Sequence, residues 1–163
     1  MTRSSMIKLT RIDDRLLHGQ VAFTWTPSLG VDTLLIANDK VAKDEFMKMT
    51  LGLAKPAGAR LLIKSLKDAA DLLGDAKSAN LKILVLINSV KDAHTLAGVV
   101  PAIISVNFGG IRTREGARPI SKAVAVTDDD ISLIKEMLEK GIELEIRQVP
   151  TESKVMVKDV IEI

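Results

Sequence analysis

Apolar runs of strand length recur along the chain at 6–12, 32–37, 59–64, 82–88, 102–107, 121–126 and 143–147. A stretch such as "ILVLI" at 83–87 has no alternation, which fits a strand buried on both faces. Between these runs the apolar spacing changes to that of a helix, predicting helices over 19–27, 39–55, 65–73, 90–99 and 128–140. Strand alternating with helix implies an α/β fold: a three-layer α/β/α arrangement with a doubly wound, mostly parallel sheet and right-handed crossovers. The helix starts carry their own chemistry. "TDDDISLIKEML" offers Thr127 or Asp128 as N-cap and puts aspartates in the first turn, where they favour the helix dipole. "SLKDAADLL" sets Ser65 three residues before Asp68, the spacing of a capping box. Both helices read as scaffold.

Two segments resist this pattern. "NFGGIRTREGARPI", with its glycines, arginines and Pro119, is expected to be a mobile loop between two strands. The tail "KVMVKDVIEI" fits an edge strand or a short helix equally well. With no repeat, low-complexity tract or linker, the 163 residues are expected to form a single domain, 1–163.

Composition narrows the function. The absence of cysteine excludes a disulfide framework and thiolate metal sites, and a cytoplasmic location is expected. The start "MTRSSMIKLT" has no apolar block before its first charges, and no apolar run is long enough to span a bilayer, so export and membrane insertion are not expected. The residues before Met6 read as an extension. A formal charge of +2 arises from 23 basic and 21 acidic side chains without a basic block, and three phenylalanines and one tryptophan leave few rings for base stacking. Nucleic acid is therefore an unlikely partner on composition.

The chemistry concentrates in "RIDDRLLHGQV", between the first strand and the first helix, at the end of the sheet where α/β proteins bind ligands. His18 would lie in that loop or at the first helical turn, beside unpaired backbone N–H groups that attract anions. An imidazole near neutrality offers a nucleophilic nitrogen that takes and releases a phosphoryl group. Arg15 supplies charge for the equatorial oxygens, Asp14 restrains the arginine or orients the imidazole, and Gly19 permits close backbone approach. Each residue also has an ordinary reading: His18 as a structural loop histidine, Asp13 and Asp14 as loop acids or caps, and Arg15 as a solvated charge. His94 has no partner at metal-binding spacing and reads as structural.

Over essentially the whole chain, "RIDDRLLHGQVAFTW", "LLIANDKVAKDEF" and "VNFGGIR" resemble the mannose/fructose/sorbose family of phosphotransferase-system (PTS) IIB components. The resemblance implies a phosphohistidine carrier, a component of a protein-phosphohistidine–sugar phosphotransferase. His18 would receive a phosphoryl group at Nδ1 from a phosphohistidine of a IIA protein and pass it to a sugar held by membrane IIC and IID components. It further implies that Asp14, Arg15, Gly19 and Gln20 surround the acceptor, and that Asn38, Asp39, Lys40, Gly109 and Gly110 are loop neighbours. On the ordinary reading these last are turn formers and an N-cap. Arg112, Arg114 and Arg118 are expected to meet an acidic IIA surface or the phosphoryl group, or else to be solubilising loop charges. No metal or cofactor is required by such a transfer. Peripheral association with the membrane complex is expected, and a homo-oligomer is compatible with it.

Other classes lack their marks. A receiver-like signalling domain wants an aspartate at the end of the third strand, where "RLLIKSLKD" has Lys64 and Ser65. A nucleotide-binding enzyme wants a glycine-rich phosphate loop after the first strand, and none is there. A non-catalytic interaction module would use the loop from Phe108 to Pro119.

Overall fold

The computed structural model describes residues 7–161, and the expected strand start at Met6, the extension before it and the last two residues lie outside them. Strands β1 (Ile7–Asp13), β2 (Thr33–Ala37), β3 (Arg60–Lys64), β4 (Ile83–Ile87), β5 (Ser105–Gly110), β8 (Glu143–Ile146) and β9 (Val155–Met156) form a sheet in the order β3-β2-β4-β1-β5-β8-β9. All neighbours are parallel except the β8–β9 pair. Every residue of β2 and β4 is buried, as their unbroken apolar runs demand.

Alternate residues of each strand feed two cores. On one face Leu9, Leu34, Ile36, Leu84 and Leu86 pack with Val21, Trp25, Val41 and Leu51. These come from a helical run at 19–29 that ends in α1 (Thr26–Leu29) and from helices α2 (Asp39–Ala42) and α3 (Glu45–Gly52). On the other face Ile12, Leu35, Val85 and Ile87 pack with residues of α4 (Leu66–Gly74), α5 (Val90–Val99) and α6 (Asp128–Glu139). The adjacent strands β1 and β4 thus send their connections to opposite faces, opening a crevice at their carboxyl ends.

Local chemistry accounts for several departures from expectation. The helix expected over 39–55 is two helices, because Asp44 turns its side chain to the Met47 N–H (3.0 Å) and starts α3 afresh. The helix expected over 19–27 runs to Leu29, where Gly30 closes it at φ 66°, and its Val21–Trp25 turn is π-helical. The run at 121–126 contributes only β7 (Ala125–Val126), paired antiparallel with β6 (Arg118–Pro119) outside the main sheet.

The segment expected to be a mobile loop is instead built into the fold. Residues 107–110 complete β5, Ile111 bridges to Val124, and Arg114 and Arg118 bind Asp130 and Asp128 at the start of α6. The tail adopts both of its expected forms, edge strand β9 and then a single 3₁₀ turn, Val157–Asp159, that buries Val157 completely. His94 Nε2 lies 3.0 Å from Glu136 Oε1, tying α5 to α6.

Candidate functional site

The parallel pairing of β1 with β5 sets Arg11 beside Asn107 and Ile12 beside Phe108, then slips so that Asp13 pairs with Gly110. Gly109 is the extra residue of this bulge, a device common where a sheet borders a site. A Cβ on Gly109 would run into the Arg11 guanidinium, so glycine at this position leaves the room in which that group sits. Arg11 is 1% exposed. Its Nη1 donates to Asn107 Oδ1 (2.8 Å) and to the Arg147 carbonyl (3.1 Å), and its Nη2 donates to Asp13 Oδ2 (3.2 Å). Burial lowers its pKa from the ordinary arginine value, while the adjacent Asp13 raises it in return; the group remains a cation.

Beyond Asp13 the chain doubles back. The Leu16 N–H donates to the Asp13 carbonyl (2.8 Å), and Leu16 takes the left-handed conformation at φ 59°, a strained choice for a branched side chain. Burial of Leu16 and Leu17 in the core holds the turn. The result brings His18 back over its own strand, with Nε2 2.8 Å from Asp13 Oδ2. Asp13 Oδ1 accepts the Arg15 N–H at 3.0 Å, so both carboxylate oxygens are occupied. A carboxylate facing a guanidinium accepts but does not donate, so Nε2 is the ring nitrogen that donates, and in the neutral imidazole the lone pair is on Nδ1. Nδ1 makes no hydrogen bond among the described residues. His18 also opens the helical run, its carbonyl accepting the Ala22 N–H at 3.0 Å, so the next N–H groups stay unpaired beside the ring.

The imidazole, with 13% of its side chain exposed, borders a groove of about 620 Å³ lined by Arg15, Asn38, Lys40, Met47 and Arg112 among others. On the far side of Arg15 a second hollow of about 330 Å³ meets Gln20, Gly109, Gly110 and Lys122. Arg15 and Asp14 reach both, and the Arg15 guanidinium has no partner among the described residues. Apart from its chain neighbours and its own helix, nothing lies within 4 Å of a Cβ placed on Gly19, so the space before it is open. Asn38 is buried and caps α2 through the Val41 N–H (2.9 Å).

Several expected roles change hands. Asp13, read from sequence as a loop acid or cap, orients the imidazole. Asp14, expected to restrain Arg15 or the histidine, instead accepts from the Arg112 backbone N–H (2.8 Å) and Nε (3.0 Å). Asp39 turns away from His18 to accept the Leu66 N–H (2.8 Å) and borders a groove between α4 and α5. Of the three loop arginines only Arg112 borders the histidine, Arg114 and Arg118 being held at α6. The diverging carboxylates of Asp13 and Asp14 form no receiver-like acidic cluster, and no metal-holding group of three occurs among the described residues.

Arg11, Asn107, Glu145, Arg147 and Trp25 were not singled out in the sequence. Glu145 receives Arg147 Nε and Nη2 (both 3.0 Å) and Asn107 Nδ2 (3.0 Å). The guanidiniums of Arg11 and Arg147 lie over the Trp25 ring, 5.4 and 5.1 Å from its centroid, and the indole N–H donates to the Gln148 carbonyl (2.9 Å). The available signal was a charged or amide side chain inside a strand-length run, Arg11 in "KLTRID", Asn107 in "SVNFGG" and Glu145 in "ELEIR".

Comparison with known proteins identifies the family. The family model for the PTS system sorbose subfamily IIB component matches residues 7–163. A probable phosphotransferase enzyme IIB component of Streptococcus pyogenes is 38% identical over 82% of this chain and 85% of its own. The mannose-specific EIIAB component of Escherichia coli is 35% identical over 96% of this chain, which spans 48% of that longer relative. The crystal structure of the IIBSor domain of the Klebsiella pneumoniae sorbose permease superposes with a TM-score of 0.89 at 30% identity, covering 94% of each chain. The chain belongs to the sorbose subfamily of IIB components, phosphotransferases of the sugar phosphotransferase system.

Proposed function

We propose that His18 is the phosphoryl acceptor and that Nδ1 is the atom modified. The observation that carries this reading is the 2.8 Å contact from Nε2 to Asp13, which commits one ring nitrogen and leaves the other with its lone pair beside an open basic groove. In the first transfer the Nδ1 lone pair attacks the phosphorus of a phosphohistidine on a IIA protein. The new N–P bond forms as the old one breaks, and the IIA imidazole leaves with the bonding electron pair. In the second, a sugar hydroxyl attacks the phosphorus and gives its proton to solvent or to a base beside the bound sugar as the O–P bond forms, and His18 departs with the electrons of its N–P bond. Such transfers ask the protein for alignment and for positive charge around the equatorial oxygens. Arg15 meets that need with an unpaired guanidinium, helped by Lys40, Arg112 and the N–H groups following His18. Asp14 acts by restraining Arg112, while Gly19 and Gln20 shape the approach.

The donor is a IIA protein or domain, and the sugar is presented by membrane IIC and IID components. Among the described residues no helix is long and apolar enough to cross a membrane, which suits a peripheral, cytoplasmic carrier docking onto a membrane complex. Incubation with phosphorylated IIA should give the wild-type chain an acid-labile, alkali-stable phosphate, and His18→Ala should take up none. Uptake of the same phosphate by the variant would overturn the assignment.

A further inference from the structure

A buried guanidinium needs a reason, because removing one from water is costly unless every contact compensates. Arg11 sits at the convergence of the site's underside. It bonds Asp13 Oδ2, Asn107 Oδ1 and the Arg147 carbonyl, lies over Trp25, and occupies space that Gly109 vacates. Its Nε makes no hydrogen bond, so the group is held for its two terminal nitrogens at the expense of a third. Asn107 is fixed in turn by Glu145 (3.0 Å) and the Arg147 carbonyl (3.2 Å), and Glu145 by the Arg147 fork. This chain of contacts runs from the β8 strand to the imidazole and ends on one atom, Asp13 Oδ2, which accepts from Arg11 and from His18 together.

We infer that Arg11 is a positioning residue for phosphoryl transfer: clamped by Asn107 and seated against Gly109, it fixes the Asp13 carboxylate and thereby locks His18 in the Nε2–H tautomer. The inference deepens the assignment of His18 as acceptor and rests on it for its functional consequence, but the tautomer itself is a property of the unphosphorylated chain. Without the clamp only the Arg15 N–H holds the Asp13 carboxylate, whose Oδ2 is then free to swing from Nε2, the imidazole gains the alternative tautomer, and a fraction of molecules presents the wrong nitrogen to the donor. A lysine at position 11 keeps the charge but not the planar fork that reaches Asn107 and Asp13 at once.

The test uses the full chain labelled with ¹⁵N at histidine. In wild type the His18 imidazole resonances should report a single neutral tautomer protonated at Nε2. In Arg11→Lys they should move toward a mixture of both, and transfer from phosphorylated IIA should slow by on the order of tenfold to a hundredfold. Asn107→Ala, which removes one anchor of the guanidinium and leaves Arg11 and Asp13 in place, should shift the resonances in the same direction by less. It also serves if Arg11→Lys fails to fold. Folded variants that retain the wild-type tautomer and the wild-type rate would overturn the inference. Slowed transfer with an unchanged tautomer in a folded variant would also overturn it, by assigning Arg11 a merely structural part. His18→Ala run alongside separates the two readings: phosphate uptake by that variant would sink the acceptor assignment and leave the tautomer result standing.

Discussion

Asp13 meets donors on every side: Arg11 and His18 at one oxygen, the Arg15 N–H at the other. Asp13→Asn therefore sets an amide NH₂ against a donor whichever way the side chain turns, and leaves the Arg11 cation buried without its counter-charge. We expect it to destabilise the fold by about 3 kcal/mol, read as a lower urea midpoint at unchanged slope, and to slow phosphorylation of whatever remains folded. Arg112→Ala should do the reverse. Its guanidinium is mostly exposed where it meets Asp14, so stability should change by less than about 1 kcal/mol, while association with IIA slows and loses part of its salt dependence. His18 and Arg15 were legible because a motif and a position at the end of the first strand point to them. Asp13 was not, since its role depends on the left-handed turn at Leu16, which no local propensity favours. The exchange of roles between Asp13 and Asp14 has the same origin, two adjacent acids separated only by the direction in which the backbone turns.

Elements were read best where burial dictates the pattern. The runs that became β2 and β4 declare themselves, and the caps at Ser65 and Thr127 lie where the sequence puts them, Thr127 in a full capping box with Asp130. Reading failed where a side chain decides between two backbones. Asp44 carries no apolar signal, yet its bond to the Met47 N–H divides one expected helix into two. The 107–120 segment looked like a loop because the order of its later part comes from arginines that find acids on α6, contacts invisible to periodicity. Arg114 donates to the Ala125 carbonyl and to Asp130, and the same Asp130 Oδ2 accepts the Thr127 N–H of the cap. Arg114→Ala should accordingly cost about 1–2 kcal/mol and speed amide exchange through 111–126. The phosphorylation rate should stay unchanged, which distinguishes Arg114 from Arg112.

For the whole molecule, alternating strand and helix gave the layers but not the strand order, because register between strands distant in sequence is settled by tertiary packing. That order makes the site, since β1 lies between β4 and β5 and only this brings Asn107 to Arg11. It also assembles charge at the opposite helical layer. Burial raises the Asp92 carboxyl above its ordinary value, and the nearby Asp39 raises it further, with Lys91 opposing. The folded state then holds this proton more tightly than the unfolded one, so stability from this group declines as pH rises from the ordinary aspartate range through the raised native value. Asp92→Asn should remove that decline. Its thermal midpoint relative to wild type should improve between acid and neutral pH, measured by unfolding at a series of pH values.

The chain has one tryptophan and no tyrosine, and that indole lies 1% exposed beneath the Arg11 and Arg147 guanidiniums. Its near-ultraviolet emission is therefore an intrinsic optical gauge set against the Arg11 guanidinium, which in turn bonds Asp13. A change in brightness or colour when the carrier is loaded or discharged would time each half-reaction in a stopped-flow cell, with no dye attached and no competing fluorophore in the chain.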